Sequence, residues 1–132
     1  MVTTPQEVAA MDVCRAMDLF DQVKIPIIGI VENMSYYQNG DDRVYLFGKG
    51  GGDRLALHSG IPLLGQIPIA TEISLSGDSG KPLLVPGETN ISKSGEEFLK
   101  IADGIINEIN LMTSESSGIM QQFEIAWRAM ST

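Results

Sequence analysis

The apolar positions of this chain change period several times, and each change marks an element. Ile25 to Val31, read IPIIGIV, is apolar almost without interruption and stops at the polar cluster Glu32-Asn33-Met34-Ser35. Such a run is too short for a helix and apolar on both alternating sets of positions, the pattern of a central parallel strand covered on both faces. A second run, Ile61 to Ile67, begins with Pro62 and is stopped by Pro68. Around these runs the spacing turns helical. Thr4 and Glu7 stand at capping-box spacing with Pro5 at the first helical position, and Ala9, Val13, Ala16, Phe20 and Val23 follow as one stripe, predicting a helix to Gln22. Ser94 and Glu97 form a second capping box ahead of the stripe Phe98, Ile101, Ala102, Ile105 and Ile109.

Shorter elements fill the remainder. Met1 to Thr3 reads as the stub of a strand, Tyr36 to Phe47 as a small ribbon turning at Asn39-Gly40, and Asp53 to His58 as a short helix. Helices alternating with buried strands predict an α/β fold, a partial parallel sheet flanked by helices. The expected organisation is one domain over residues 1–109, a Ser- and Thr-rich linker over 110–118, and an amphipathic tail helix over 119–132. In that tail Ile119, Phe123, Trp127 and Met130 share a face.

Composition narrows the function classes. A chain of 132 residues, 43% hydrophobic, suffices for one modest core. Its net charge of -8 argues against electrostatic nucleic-acid binding, which needs clustered Lys and Arg. The single cysteine, Cys14, excludes an intrachain disulfide framework and fits a reducing compartment. No run approaches membrane-span length and no basic-then-apolar leader opens the sequence, so a cytoplasmic location is expected.

In open parallel sheets, ligands bind at the carboxyl ends of the strands, which makes Asn33 the first candidate residue. Its carboxamide donates and accepts side by side, as the N6/N7 edge of adenine requires. The same residue is also a common turn former after a strand, and the pattern leaves both readings open. Cys14 reads as a small residue at the edge of a buried helix face, and His58 as a cation near a helix carboxyl terminus. The glycine-rich stretch from Phe47 to Arg54 invites reading as a phosphate loop. Aligned that way, however, Asp53 falls on a required glycine, Arg54 on the lysine and Leu55 on the magnesium-binding hydroxyl, so it is read as a lead into a helix.

Five segments in order, VTTPQEVA (Val2 to Ala9), IPIIGIVENMSY (Ile25 to Tyr36), FGKGGG (Phe47 to Gly52), GIPLLGQIPI (Gly60 to Ile69) and GDSGKP (Gly77 to Pro82), resemble the carboxyl-terminal half of the Mrp/ApbC family. These are MinD/ParA-like, deviant-Walker P-loop ATPases that carry iron-sulfur clusters, and the resemblance spans roughly Val2 to Ile109. It implies that Asn33 and Pro68 face the adenine of ATP. Two departures accompany it. Ala70 stands where the family often has Asp, and Tyr36 to Arg43 lacks the C-x-x-C pair whose thiolates hold a cluster between two subunits, so a cluster in that mode is not expected.

The resemblance also implies that the phosphate loop and the magnesium site belong to an amino-terminal half. The chain alone is therefore expected not to hydrolyse ATP, and to need a partner: an amino-terminal half or full-length homologue, with homo-oligomerisation also expected. Two other readings stand beside this one. One is a non-catalytic dimerising interaction module that covers an exposed sheet edge. The other is a membrane-partitioning relative using the tail helix, in which Arg128 is the sole basic residue.

Overall fold

A computed structural model describes residues 1–87 and 89–130, with only the helical backbone for 116–130. Its elements are β1 (Val2–Thr3), α1 (Glu7–Gln22), β2 (Ile30–Glu32), β3 (Tyr37–Asn39), β4 (Asp42–Val44), α2 (Gly51–Ser59), β5 (Leu63–Gln66), α3 (Thr71–Ser79) and α4 (Lys93–Met130). β1, β2 and β5 form a three-stranded sheet in that order, and β3 and β4 form a separate ribbon. All pairings in the sheet are parallel. Thr3 aligns with Glu32 and Glu32 with Gln66, with an irregularity in the second pairing at Ile30/Val31. Helices alternate with these strands, as the change of period predicts, and the α/β class holds.

The core forms where α1 and α2 meet the sheet. Met17, Ile30 and Leu55 are its buried centre, with Val13, Cys14, Ile27, Ala56, Ile61 and Leu63 packed around them. The stripe predicted for α1 is therefore rotated towards Met17, and Val23 at its end is 56% exposed. On α4, Ile101 is buried and lies against Gly65 of β5, where an added Cβ would come within 2.5 Å of the Ile101 side chain. Gly65 thus allows helix and strand to approach closely. Ile109, expected on that stripe, is 45% exposed.

Several boundaries differ from the sequence expectation. Regular pairing of β2 starts at Ile30 and not at Ile25, and Pro26, which has no N–H to donate, falls in the stretch ahead of it. Thr4 does not cap α1: the cap position is Gln6, without a side-chain bond. The cap of α4 is Ser92 and not Ser94, its hydroxyl accepting the Gly95 N–H at 3.1 Å. The turn of the ribbon is Gly40-Asp41, since Asn39 pairs with Asp42 and the positive φ of 61° falls on Gly40.

The expected linker over 110–118 is also corrected, because α4 continues through it without a break. Hydroxyl residues are only mildly unfavourable in a helix, and here Thr113 and Ser114 bond back to the carbonyls of Ile109 and Leu111. The side chains of Ile119, Phe123, Trp127 and Met130, expected to form an apolar face, lie outside the described residues.

Candidate functional site

Parallel strands gather polar residues at their carboxyl ends, and this sheet does so around one carboxylate. Glu32, the last residue of β2, is 0% exposed. Its Oε1 accepts the Ser35 hydroxyl at 2.5 Å and the Gln66 amide at 3.2 Å, and its Oε2 accepts the Gly52 N–H at 2.5 Å. Gly52 is the second residue of α2, whose cap, Gly50, has no side chain to offer. Glu32 therefore closes the amino end of a helix from a strand, where a negative charge is favoured by the helix dipole.

Glycines make this approach feasible. A Cβ on Gly51 would lie 2.5 Å from the Pro5 carbonyl oxygen, and one on Gly52 would lie 3.0 Å from the Glu32 Cβ. The amino end of α2, which the glycine-rich sequence made a candidate anion cradle, is thus taken up inside the fold. Sequence reading placed Glu32 only in a polar cluster. The available signal was an ionisable residue directly ending an apolar run, with a glycine-rich helix start later in the chain.

Asn33 follows directly. Its N–H donates to the Thr3 carbonyl at 2.8 Å, fixing it to β1, and its Oδ1 accepts the Met34 N–H at 2.8 Å. Met34 takes a left-handed φ of 54° in this turn. The side-chain amide group of Asn33 donates to nothing among the described residues. Past the turn the β2 track resumes alongside the segment after β5. Ser35 N–H donates to the Ile67 carbonyl, Ile69 N–H to the Tyr36 carbonyl, and Tyr37 bridges to Ile69.

This continued pairing builds a pocket of about 340 Å³ whose walls include Tyr36, Pro68, Thr71, Glu72, Lys93 and Ser94. Pro68 is buried there. The starts of α3 and α4 both border the pocket, and the cap of α3, Ala70, makes no side-chain bond. Asn33 is not among the residues lining it. The structure therefore places the two predicted site residues on neighbouring strand ends, with only Pro68 in this pocket. A larger cleft, about 570 Å³, is lined by Cys14, Asp18, Asp21, Ile25 and His58. It lies at the amino ends of β2 and β5, away from the polar strand ends where parallel sheets bind ligands.

The sequence holds one thiol, that of Cys14. Cys14 packs at the edge of the core on α1, and the ribbon of β3 and β4 presents Tyr37 to Val44 without a thiolate. Among the described residues no group of three or more His, Cys, Asp or Glu side chains could hold a metal ion. No helix of the described residues is long and apolar enough to cross a membrane.

A parallel sheet flanked by helices, with polar residues and a pocket at its strand ends, defines the class as an open α/β fold of the kind that binds ligands at the carboxyl ends of its strands. The comparisons name the particular family. A ParA-family model, described as NUBPL iron-transfer P-loop NTPase, matches residues 1–106. The chain is 36% identical over 117 residues to an iron-sulfur cluster carrier protein of Pyrococcus abyssi, covering 87% of this chain and 39% of the relative. It is likewise 36% identical over 127 residues to the iron-sulfur cluster transfer protein NUBPL of Dictyostelium discoideum, covering 91% and 39%. Among solved structures, a nucleotide-binding protein in complex with ADP from Archaeoglobus fulgidus matches with TM-score 0.53 and 37% identity, over 61% of this chain and 35% of that one. The chain belongs to the ParA/NUBPL family of P-loop NTPases, the Mrp/ApbC type, and spans about two-fifths of the length of these relatives.

Proposed function

We propose that this chain forms the base side of an adenine-nucleotide site in an iron-sulfur cluster carrier. Asn33 and Pro68 would meet the adenine of ATP, while residues outside Met1–Thr132 supply the phosphate loop and the magnesium site. The observation that carries this reading is the position of the Pro68 pocket and of Asn33 at the carboxyl ends of β5 and β2, where a parallel sheet receives nucleotides. The free amide group of Asn33 and the apolar wall of Pro68 suit one polar edge and one flat face of a purine. The ADP held by the 37% identical neighbour supports the choice of ligand.

Phosphoryl transfer needs a phosphate cradle, a metal-binding hydroxyl and a residue that positions water. The glycine-led start of α2 does not offer the first, because Glu32 already accepts its Gly52 N–H. The chain alone would bind nucleotide through the base and would not hydrolyse it. A polypeptide bearing the phosphate loop would join along β1, one of the two outer strands of the sheet, where Val2 is 63% exposed. The cluster would be the cargo of the assembled protein, with thiolates provided outside this chain.

Isothermal titration of the 132-residue chain with ATP and magnesium, with phosphate release followed in parallel, tests this reading. Weak adenine-dependent binding without turnover is the expected result. Steady phosphate release by the isolated chain, or no adenine-nucleotide binding at all, would overturn it.

A further inference from the structure

We infer that Ser94 is a ligand-contacting residue of the Pro68 pocket and that its hydroxyl hydrogen-bonds the bound base. The inference rests on the base-side reading above and adds a residue to it.

Ser94 is only 3% exposed and lines the pocket. Buried hydroxyls are nearly always partnered, and a serine near a helix start ordinarily serves as a cap. Ser94 does neither, for the cap is Ser92, whose hydroxyl takes the Gly95 N–H while its carbonyl takes that of Glu96. The Ser94 oxygen neither donates nor accepts among the described residues, and, unlike the Thr4 hydroxyl, it is not sealed from solvent, so it is open to whatever occupies the pocket.

The backbone gives the same indication. With Ser92 serving Gly95 and Glu96, the N–H groups of Lys93 and Ser94 at the start of α4 have no partner among the described residues. At α3 the first bond made is the one from Ile73 to the Ala70 carbonyl, leaving the N–H groups of Thr71 and Glu72. All four residues border the one pocket. Unpaired donors beside a hydroxyl, with Pro68 and Tyr36 as apolar surface, suit a flat heteroaromatic ring rich in acceptor nitrogens. That is the chemistry of a purine.

The fold does not use the Ser94 hydroxyl, whereas it does use that of Ser92, and this difference makes the test sharp. Ser94→Ala and Ser92→Ala would be compared with wild type by thermal melting without ligand and by titration with ADP. Ser94→Ala is expected to melt no lower than wild type while its Kd for ADP rises about 3- to 10-fold, the size of one hydrogen bond. Ser92→Ala is expected to melt lower through loss of the cap. A clear drop in melting temperature for Ser94→Ala, or unchanged ADP affinity beside measurable wild-type binding, overturns the role given to Ser94 and leaves the base-side reading standing. Failure of wild type itself to bind ADP overturns both.

Discussion

The Glu32 carboxylate and the Gly52 backbone N–H, twenty residues apart in sequence, meet at 2.5 Å with no solvent access to the acid. The same carboxylate takes Ser35 and Gln66, so it joins the end of β2, the end of β5 and the start of α2. None of its donors carries a charge, and its stability therefore rests on all three bonds being made at once. Glu32→Ala would strand a buried N–H and a buried hydroxyl. We expect it to cost about 3 kcal/mol in urea-induced unfolding. Glu32→Gln should cost less, because its amide oxygen keeps at least one of the donors.

The two glycines at this junction should differ in tolerance. A Cβ on Gly51 meets the rigid Pro5 backbone at 2.5 to 2.8 Å, whereas one on Gly52 meets mainly side chains at 3.0 to 3.1 Å. Gly51→Ala is therefore expected to destabilise by about 2–3 kcal/mol and Gly52→Ala by less. Denaturation midpoints of the two variants check the order.

Gly65 and Ile101 set how closely α4 approaches β5. Gly65→Ala alone should lower stability by about 1–3 kcal/mol, since its Cβ would fall 2.5 Å from the Ile101 side chain. Ile101→Ala, which removes the Cγ1 and Cδ1 atoms the new Cβ would meet, should cost less beside Gly65→Ala than in the wild-type background. A double-mutant cycle by chemical denaturation measures the coupling, and strict additivity would speak against direct contact.

Asn33→Ala should separate affinity from stability. Its side chain makes one exposed bond, to the Met34 N–H, so the melting temperature should change little. If the amide reads adenine, the Kd for ADP should rise about tenfold or more, the size of a lost bidentate base contact. Titration of wild type and variant with ADP gives the ratio.

Much of the fold was legible because periodicity reports which side of an element is buried. The runs ending at Glu32 and Ile67 and the stripes of α1 and α4 all correspond to elements. What failed was mostly at element ends. Thr4 and Ser94 each sit three residues before a glutamate, yet neither caps its helix, because the chain enters α1 through Gln6 and α4 through Ser92. The linker failed for a related reason. Ser and Thr lower helix propensity by only a few tenths of a kcal/mol each, too little to end a helix already formed on both sides.

The site divides along the same line. By itself the sequence determined the class of fold, the polar residues following the strands, the lack of ribbon thiolates and the family likeness, since residue identity and order suffice for these. Only the tertiary structure decided that Glu32 is buried under the start of α2, that Asn33 stands beside the Pro68 pocket and not in it, and that Ser94 has a hydroxyl the fold does not use. Those facts depend on which atoms of distant segments lie within hydrogen-bonding reach of one another. Local spacing does not encode that reach, because parallel strands become neighbours only after the intervening helices have packed.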